Sequence, residues 1–224
     1  MSDLLSTRDR PRRAPQLQAD DWVSAALATL VEDGIEAVQI TVLAKRLGVT
    51  RGSFYWHFTN REALLSALLD EWRARNSGVM LDAMADAPTI EAGVLELFAV
   101  WVDHTRFDPA LDQAVRDWAR RDAALHQVVS TEDDARVAAI AAFFRRMAMA
   151  PTEAFIRARV IYFTQLSYYA LNIDEPMAER RSYLDAYMRA FTGQGISAAG
   201  AADFLKRMSD RPSDLAGERT GERS

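Results

Sequence analysis

The chain contains no cysteine. That absence excludes disulfide staples, thiolate metal sites and cysteine nucleophiles together. Histidine is nearly as scarce: His57, His104 and His126 include no HExxH spacing, and there is no glycine-rich phosphate loop. Long apolar runs are missing as well. No stretch approaches the roughly 20 residues needed to cross a bilayer, and the opening MSDLLSTRDRPRR lacks the hydrophobic centre of a signal peptide. These absences predict a soluble, cytoplasmic protein that is not an enzyme and uses no cofactor, metal or membrane. Strand-like alternation is also absent, so the predicted fold class is all-α.

What the chain does have is apolar material for a core, 49% of 224 residues, and an acidic balance of −5. The acidity is unevenly placed. From Met1 to Arg61 eight basic residues face seven acidic ones, leaving 19 basic against 25 acidic in the remainder. The early bases are also clustered, in the arm Arg8–Arg13 and around Lys45–Arg51, so a basic surface is compatible with the negative total. The arm contains Pro11 and no periodicity, and reads either as a segment for a DNA minor groove or as a solvated tail.

The segment TVLAKRLGVTRGSFYWHFTNREALL, Thr41 to Leu65, has the spacing of two short helices, a tight turn and a third helix start. Thr41 is expected as a hydroxyl N-cap for a helix carrying Leu43, Ala44 and Leu47 on one face and Lys45 and Arg46 on the other. Lys45 is a candidate DNA contact, and Arg46 is expected on a solvated face. Gly48 suits a left-handed helix end, Val49 a plug between helices, and Thr50 the next N-cap. In the helix that follows, Phe54 and Phe58 share the inward face. Arg51, Ser53, Tyr55, Trp56 and His57 remain for a major groove. Arg51 has the fork geometry for guanine and Ser53 can meet a base edge, while Gly52 lets backbone approach closely. Tyr55 and His57 can donate to phosphates, and Asn60 is expected to cap a helix whose first residue, Arg61, adds a phosphate-binding charge. The competing readings are half-buried packing for Tyr55 and Trp56 and a packing histidine at 57. An N-terminal helix, roughly Asp20 to Asp33, is predicted to bury Trp22, Ala26, Leu27, Leu30 and Val31 and to stop at Gly34.

This segment resembles the DNA-binding domain of the TetR/AcrR family of transcriptional regulators. The matching residues are Thr41, Ala44, Gly48, Val49, Thr50, Gly52, Phe54, Tyr55, His57, Phe58 and Glu62, without gaps, with Arg61 where the family more often has lysine. The resemblance extends over roughly Asp20 to Trp72. It implies a three-helix helix-turn-helix domain, residues 20–65, after a basic arm, residues 1–19. It further implies a helical effector-binding and dimerisation domain, residues 66–208, with a tail over 209–224. A double-stranded palindromic operator, a homodimeric partner, repression and a small apolar effector follow as expectations. A small-molecule-binding or structural helical protein that keeps the motif without reading an operator is the alternative.

Prolines at 88, 109, 151 and 176 punctuate the rest into expected helices near Arg61–Met84, Thr89–Arg106, Pro109–Arg121, Ala123–Met149, Thr152–Leu171, Pro176–Phe191 and Ala198–Met208. The bulky set Trp101, Phe107, Trp118, Phe143, Phe144, Met147 and Phe163 reads as core or as an effector pocket, with His104, Gln165 and Asn172 as polar anchors. Tyr162, Leu166, Tyr169, Ile173, Tyr183, Tyr187 and Phe191 are candidates for a four-helix dimer seam, some of them reserved for the chain's own core. The stretch DWARRDAAL, Asp117 to Leu125, resembles a segment found in many family members. The acidic run Glu132–Asp134 is expected on a solvated helix face rather than on a metal.

Overall fold

The computed structural model describes residues 17–173 and 175–209, so the arm Arg8–Arg13 and the tail beyond Ser209 lie outside the described residues. All regular structure among the described residues is helical. No helix among them is long and apolar enough to cross a membrane. Contacts divide the chain into two compact units, with the division between Leu68 and Leu69.

The first unit is built from α1 (Ala19–Asp33), a 3-10 turn (Ile35–Ala37), α2 (Ile40–Arg46), α3 (Arg51–Phe54) and the start of α4 (Arg61–Trp72). The Asp21 carboxylate accepts from the Gln18 amide at 2.7 Å, closing the first turn of α1. Trp22, Ala26, Leu27 and Leu30 are buried, but Val31 is 40% exposed, so the apolar stripe is one residue narrower than predicted. Leu43, Ala44, Phe54, Leu64 and Leu68 complete the core. Phe54 meets Trp22 edge to face at 5.2 Å and stacks on Phe58 at 5.5 Å.

The second unit runs through a π-helical turn (Arg73–Gly78), α5 (Val79–Ala83), α6 (Ile90–Trp101), α7 (Pro109–Ala119), α8 (Ala123–Arg146), α9 (Pro151–Ala170), α10 (Met177–Ser182), α11 (Leu184–Thr192) and α12 (Ala198–Ser209). The expected single helix from Arg61 to Met84 is interrupted by that wide turn. Buried Asn76 and Ser77 account for it: the Asn76 amide donates to the Asp108 carbonyl at 2.8 Å and accepts from its N–H at 3.2 Å, while Ser77 Oγ donates to Glu132 at 3.0 Å. Pro109 and Pro151 occupy first-turn positions, where no helical hydrogen bond is lost. Helix α6 ends at Trp101 rather than Arg106, because Asp103 Oδ1 accepts from the Thr105 hydroxyl at 2.6 Å and stabilises a turn. The core gathers Val94, Leu97, Val100, Ile140, Phe144 and Ile161. Gly93 sets the approach of α6 to α8: a Cβ there would stand 2.2 Å from the Phe143 ring.

Candidate nucleic-acid interface and helical-domain cavity

Gly48 closes α2 with φ +68°, and the Val49 amide donates back to Ala44 at 3.0 Å, turning the chain sharply into α3. Thr50 holds the N-cap position of α3 with extended backbone, though its hydroxyl makes no capping bond. Thr41 does not cap α2. That position falls to Gln39, leaving Thr41 exposed within the first turn. Burial of Phe54 then forces its neighbours outward: Arg51 and Gly52 are exposed, Ser53 and His57 partly so, Tyr55 is 54% exposed and Trp56 87%. Lys45 is exposed beside them. An indole left almost entirely in water has no packing role in the described unit.

Arg46 lies on the solvated face expected for it and there forks onto exposed Glu32 at 2.6 and 2.9 Å, which ties α2 to α1. That pair holds the Glu32 carboxyl below the usual carboxylate range. Arg61 turns inward, its Nε donating to the Val38 carbonyl at 2.6 Å and its Nη2 to Ile35 at 3.1 Å. A guanidinium so engaged braces the 3-10 turn rather than presenting its fork to a phosphate. Asn60 Oδ1 caps α4, accepting from Ala63 N at 2.8 Å.

The second unit contains a partly open apolar cavity of about 90 Å³ between α6, α9, α10, α11 and α12. Its walls are Phe98, Trp101, Ile161, Leu184, Tyr187 and Phe191, with Val102, Thr164, Gln165, Tyr168 and Phe204 completing the lining and Arg180 and Arg181 among the polar contributors. A narrow recess of about 10 Å³, room for about one water-sized group, shares Trp101 and Gln165 with it. Behind the recess lies a buried ion network. Asp112 accepts from Trp72 Nε1 at 2.9 Å, Arg116 Nε at 2.8 Å and Arg136 Nη1 at 3.2 Å. Arg116 forks onto Asp133 at 2.9 and 2.7 Å, and the Tyr162 hydroxyl donates to Asp133 at 2.6 Å. Burial alone would raise the Asp112 pKa, but the guanidiniums of Arg136 and Arg116 outweigh it and leave the carboxyl below its ordinary value. Burial pushes the Tyr162 hydroxyl up, keeping it a neutral donor.

Residues 23–68 match the model of bacterial regulatory proteins of the tetR family. The helix-turn-helix unit thus carries the DNA-binding domain of that family. The tetracycline repressor protein class A from transposon 1721 of Escherichia coli is 43% identical over 61 residues, 27% of this chain and 28% of that protein. The HTH-type transcriptional regulator TtgR of Pseudomonas putida is 40% identical over 48 residues, 21% and 23% of the two chains. The chain thus spans only about a quarter of the length of these relatives. Over a longer span, a crystal structure described as a putative TetR-family regulator from Mesorhizobium loti superimposes with a TM-score of 0.60 at 18% identity, covering 80% of this chain and 96% of that one, which is a likeness of fold.

In the helical unit, the structure regroups the residues singled out from sequence. Of the expected effector set, Trp101 and Gln165 line the large cavity and Phe107 the recess. His104 and Asn172 are exposed, at the end of α6 and after α9, and line neither space. Trp118 is half-buried on α7 and away from both. Phe143 packs on Gly93, Phe144 is fully buried, and Met147 borders the core. Phe163 is 37% exposed on the outer side of α9. Several expected dimer residues are interior instead: Tyr162 is 3% exposed within the ion network, Leu166 and Tyr169 line the recess, and Tyr187 and Phe191 line the cavity. Tyr183 and Ile173 stay on the surface. Glu132 and Asp133 are not a solvated face but anchors, to Arg73 and Ser77 and to Arg116 and Tyr162 respectively. Sequence reasoning missed Phe98, Leu184 and Phe204 as cavity walls, and Phe155, Ile156 and Val160 as a surface stripe. The i, i+4 spacing of Ile156 and Val160 was a usable signal for that stripe.

Proposed function

We propose that the protein is a sequence-specific DNA-binding transcriptional regulator, acting as a homodimeric repressor that leaves a palindromic operator when an apolar effector enters the helical unit. The observation that carries the DNA reading is the outward face around buried Phe54, where Arg51, Tyr55 and Trp56 stand exposed at the turn out of α2. Support for pairing comes from α9, whose Phe155, Ile156, Val160 and Phe163 are 37–51% exposed in a single chain. Arg159 stacks on the Phe155 and Phe163 rings, at 5.6 and 4.9 Å, and lends the stripe a rim. Two readers related by a two-fold axis would meet half-sites one DNA turn apart. Support for an effector comes from the aromatic cavity in the same unit. Release requires the effector to favour the DNA-incompetent state, because equal affinity for both states shifts nothing. The chain passes between its two units within α4, which makes that helix the covalent route for such a shift.

The test is selection of bound sites from a random duplex pool by the full chain, followed by affinity measurements at several salt concentrations. Enrichment of a two-fold symmetric motif with a steep salt slope is expected, since neutralised phosphates release counterions. A folded sample that enriches nothing, or binds every duplex alike, overturns the operator reading.

A further inference from the structure

The recess behind the large cavity is lined by polar groups that the apolar-effector reading leaves without a task. Arg136, Asp112, Tyr162 and Gln165 line it, together with apolar Met80 and Phe107. Two buried N–H donors on this wall have no hydrogen-bond partner of ordinary geometry: Nη2 of Arg136, a residue only 1% exposed, and Nε2 of Gln165, whose side chain lies beside the Tyr169 hydroxyl. The rest of the Arg136 fork is satisfied, Nε by Ser77 at 3.0 Å and Nη1 by Asp112 at 3.2 Å and Tyr162 at 3.1 Å. Unsatisfied buried donors are exceptional in folded proteins, and a ligand acceptor is one way to complete them. Gln165 is the junction, because it and Trp101 line both the recess and the large cavity.

Charge narrows the chemistry of that acceptor. Arg116 and Arg136 are already balanced by Asp112 and Asp133 within the network. A buried carboxylate would add an uncompensated negative charge, whereas a neutral oxygen would satisfy a donor without one. We infer that the effector is a ring-bearing apolar molecule with a neutral carbonyl-type oxygen at its inner end, a ketone, ester or amide, which accepts from Gln165 Nε2 with Arg136 beside it. This rests on the effector reading above. The placement also gives the ligand a route into the fold: Arg136 shares Asp112 with Trp72, the last residue of α4.

Three shape-matched probes test it by equilibrium dialysis against the full chain: methyl naphthyl ketone, ethylnaphthalene and naphthoate. The ketone is expected to bind about tenfold more tightly than either of the others, the size of one hydrogen bond to an otherwise unpaired buried donor. Gln165→Leu, nearly equal in volume and free of the orphan donor, is expected to bind ketone and hydrocarbon alike and to melt no lower than the unaltered protein. Gln165→Met gives the same comparison if the branched side chain does not pack. Equal binding of ketone and ethylnaphthalene by the unaltered protein, a ketone preference that survives both substitutions, or tighter binding of naphthoate overturns the assignment. Binding of none of the three overturns it as well, and alone among these outcomes removes the effector reading on which it rests.

Discussion

Arg51 and Arg61 show how the same side chain takes different roles ten residues apart. Arg51 opens α3, exposed, with its guanidinium available to a base edge. Arg51→Ala is expected to weaken operator binding by about 1–3 kcal/mol and to relax preference at one base pair, read by competition among single-substituted duplexes. Unchanged preference at every position would remove Arg51 from the reading set. Arg61 instead holds two carbonyls of the turn between α1 and α2. Arg61→Ala should therefore lower unfolding stability by about 1.5–3 kcal/mol, measured by denaturant titration, and leave the salt slope of DNA binding intact. A slope shallower by about one, with stability preserved, would return Arg61 to the phosphate contacts. Composition and spacing made the cap at Asn60 and the left-handed Gly48 legible, since both depend on local backbone geometry alone. The partners of Arg46 and Arg61 were not legible, because Glu32 and Val38 lie 14 and 23 residues away in sequence.

At the scale of elements, prolines marked several helix starts, while the caps at Asp108, Asp122 and Thr89, which accept from the first-turn amides of α7, α8 and α6, had not been singled out from sequence. What periodicity could not show was the π-helical turn after Trp72, which exists because Asn76 and Ser77 meet partners on other elements. Helix α8 contributes Arg136 and Asp133 to the same buried network that takes Asp112 and Arg116 from α7. Its behaviour follows from burial: removing one partner leaves the other charge in a poor dielectric. Asp112→Asn is expected to lower unfolding stability by about 3–5 kcal/mol, measured by denaturant titration. The pKa of Asp112 is depressed in the folded state, so the folded chain binds fewer protons at this site than the unfolded chain. Its stabilisation is complete above the unfolded carboxylate pKa of about 4 and is lost as pH falls through the lower folded value. Denaturation midpoints that decline with acid below about pH 4 in the unaltered protein, and decline less in Asp112→Asn, are the expected outcome. Identical acid profiles for the two would place the linkage elsewhere.

For the whole molecule, the decisive question is which apolar surface is interior and which is left for a partner. Tyrosines and phenylalanines on α9 and α11 look alike in sequence, yet they divide by helix face: Tyr162, Tyr187 and Phe191 turn toward the ion network or the cavity, whereas Phe155, Ile156, Val160 and Phe163 turn outward. One-dimensional patterning cannot make that division when both faces of a helix are apolar, because only packing of α9 against α8 and α11 decides it. An outward stripe on one long helix can meet itself across a two-fold axis, so each substitution acts twice in the paired state. Val160→Glu places two like charges at such a seam while altering a residue that is 44% exposed in the single chain. Its expected effect is a shift from dimer to monomer in sedimentation with helical content retained. Operator affinity should fall with it, since two half-sites then bind independently rather than as one linked event. Binding to a single half-site should stay as it was, which separates loss of pairing from damage to the reading face. A Val160→Glu protein that remains dimeric would move the seam to another surface, with exposed Tyr183 and Ile173 the next positions to charge.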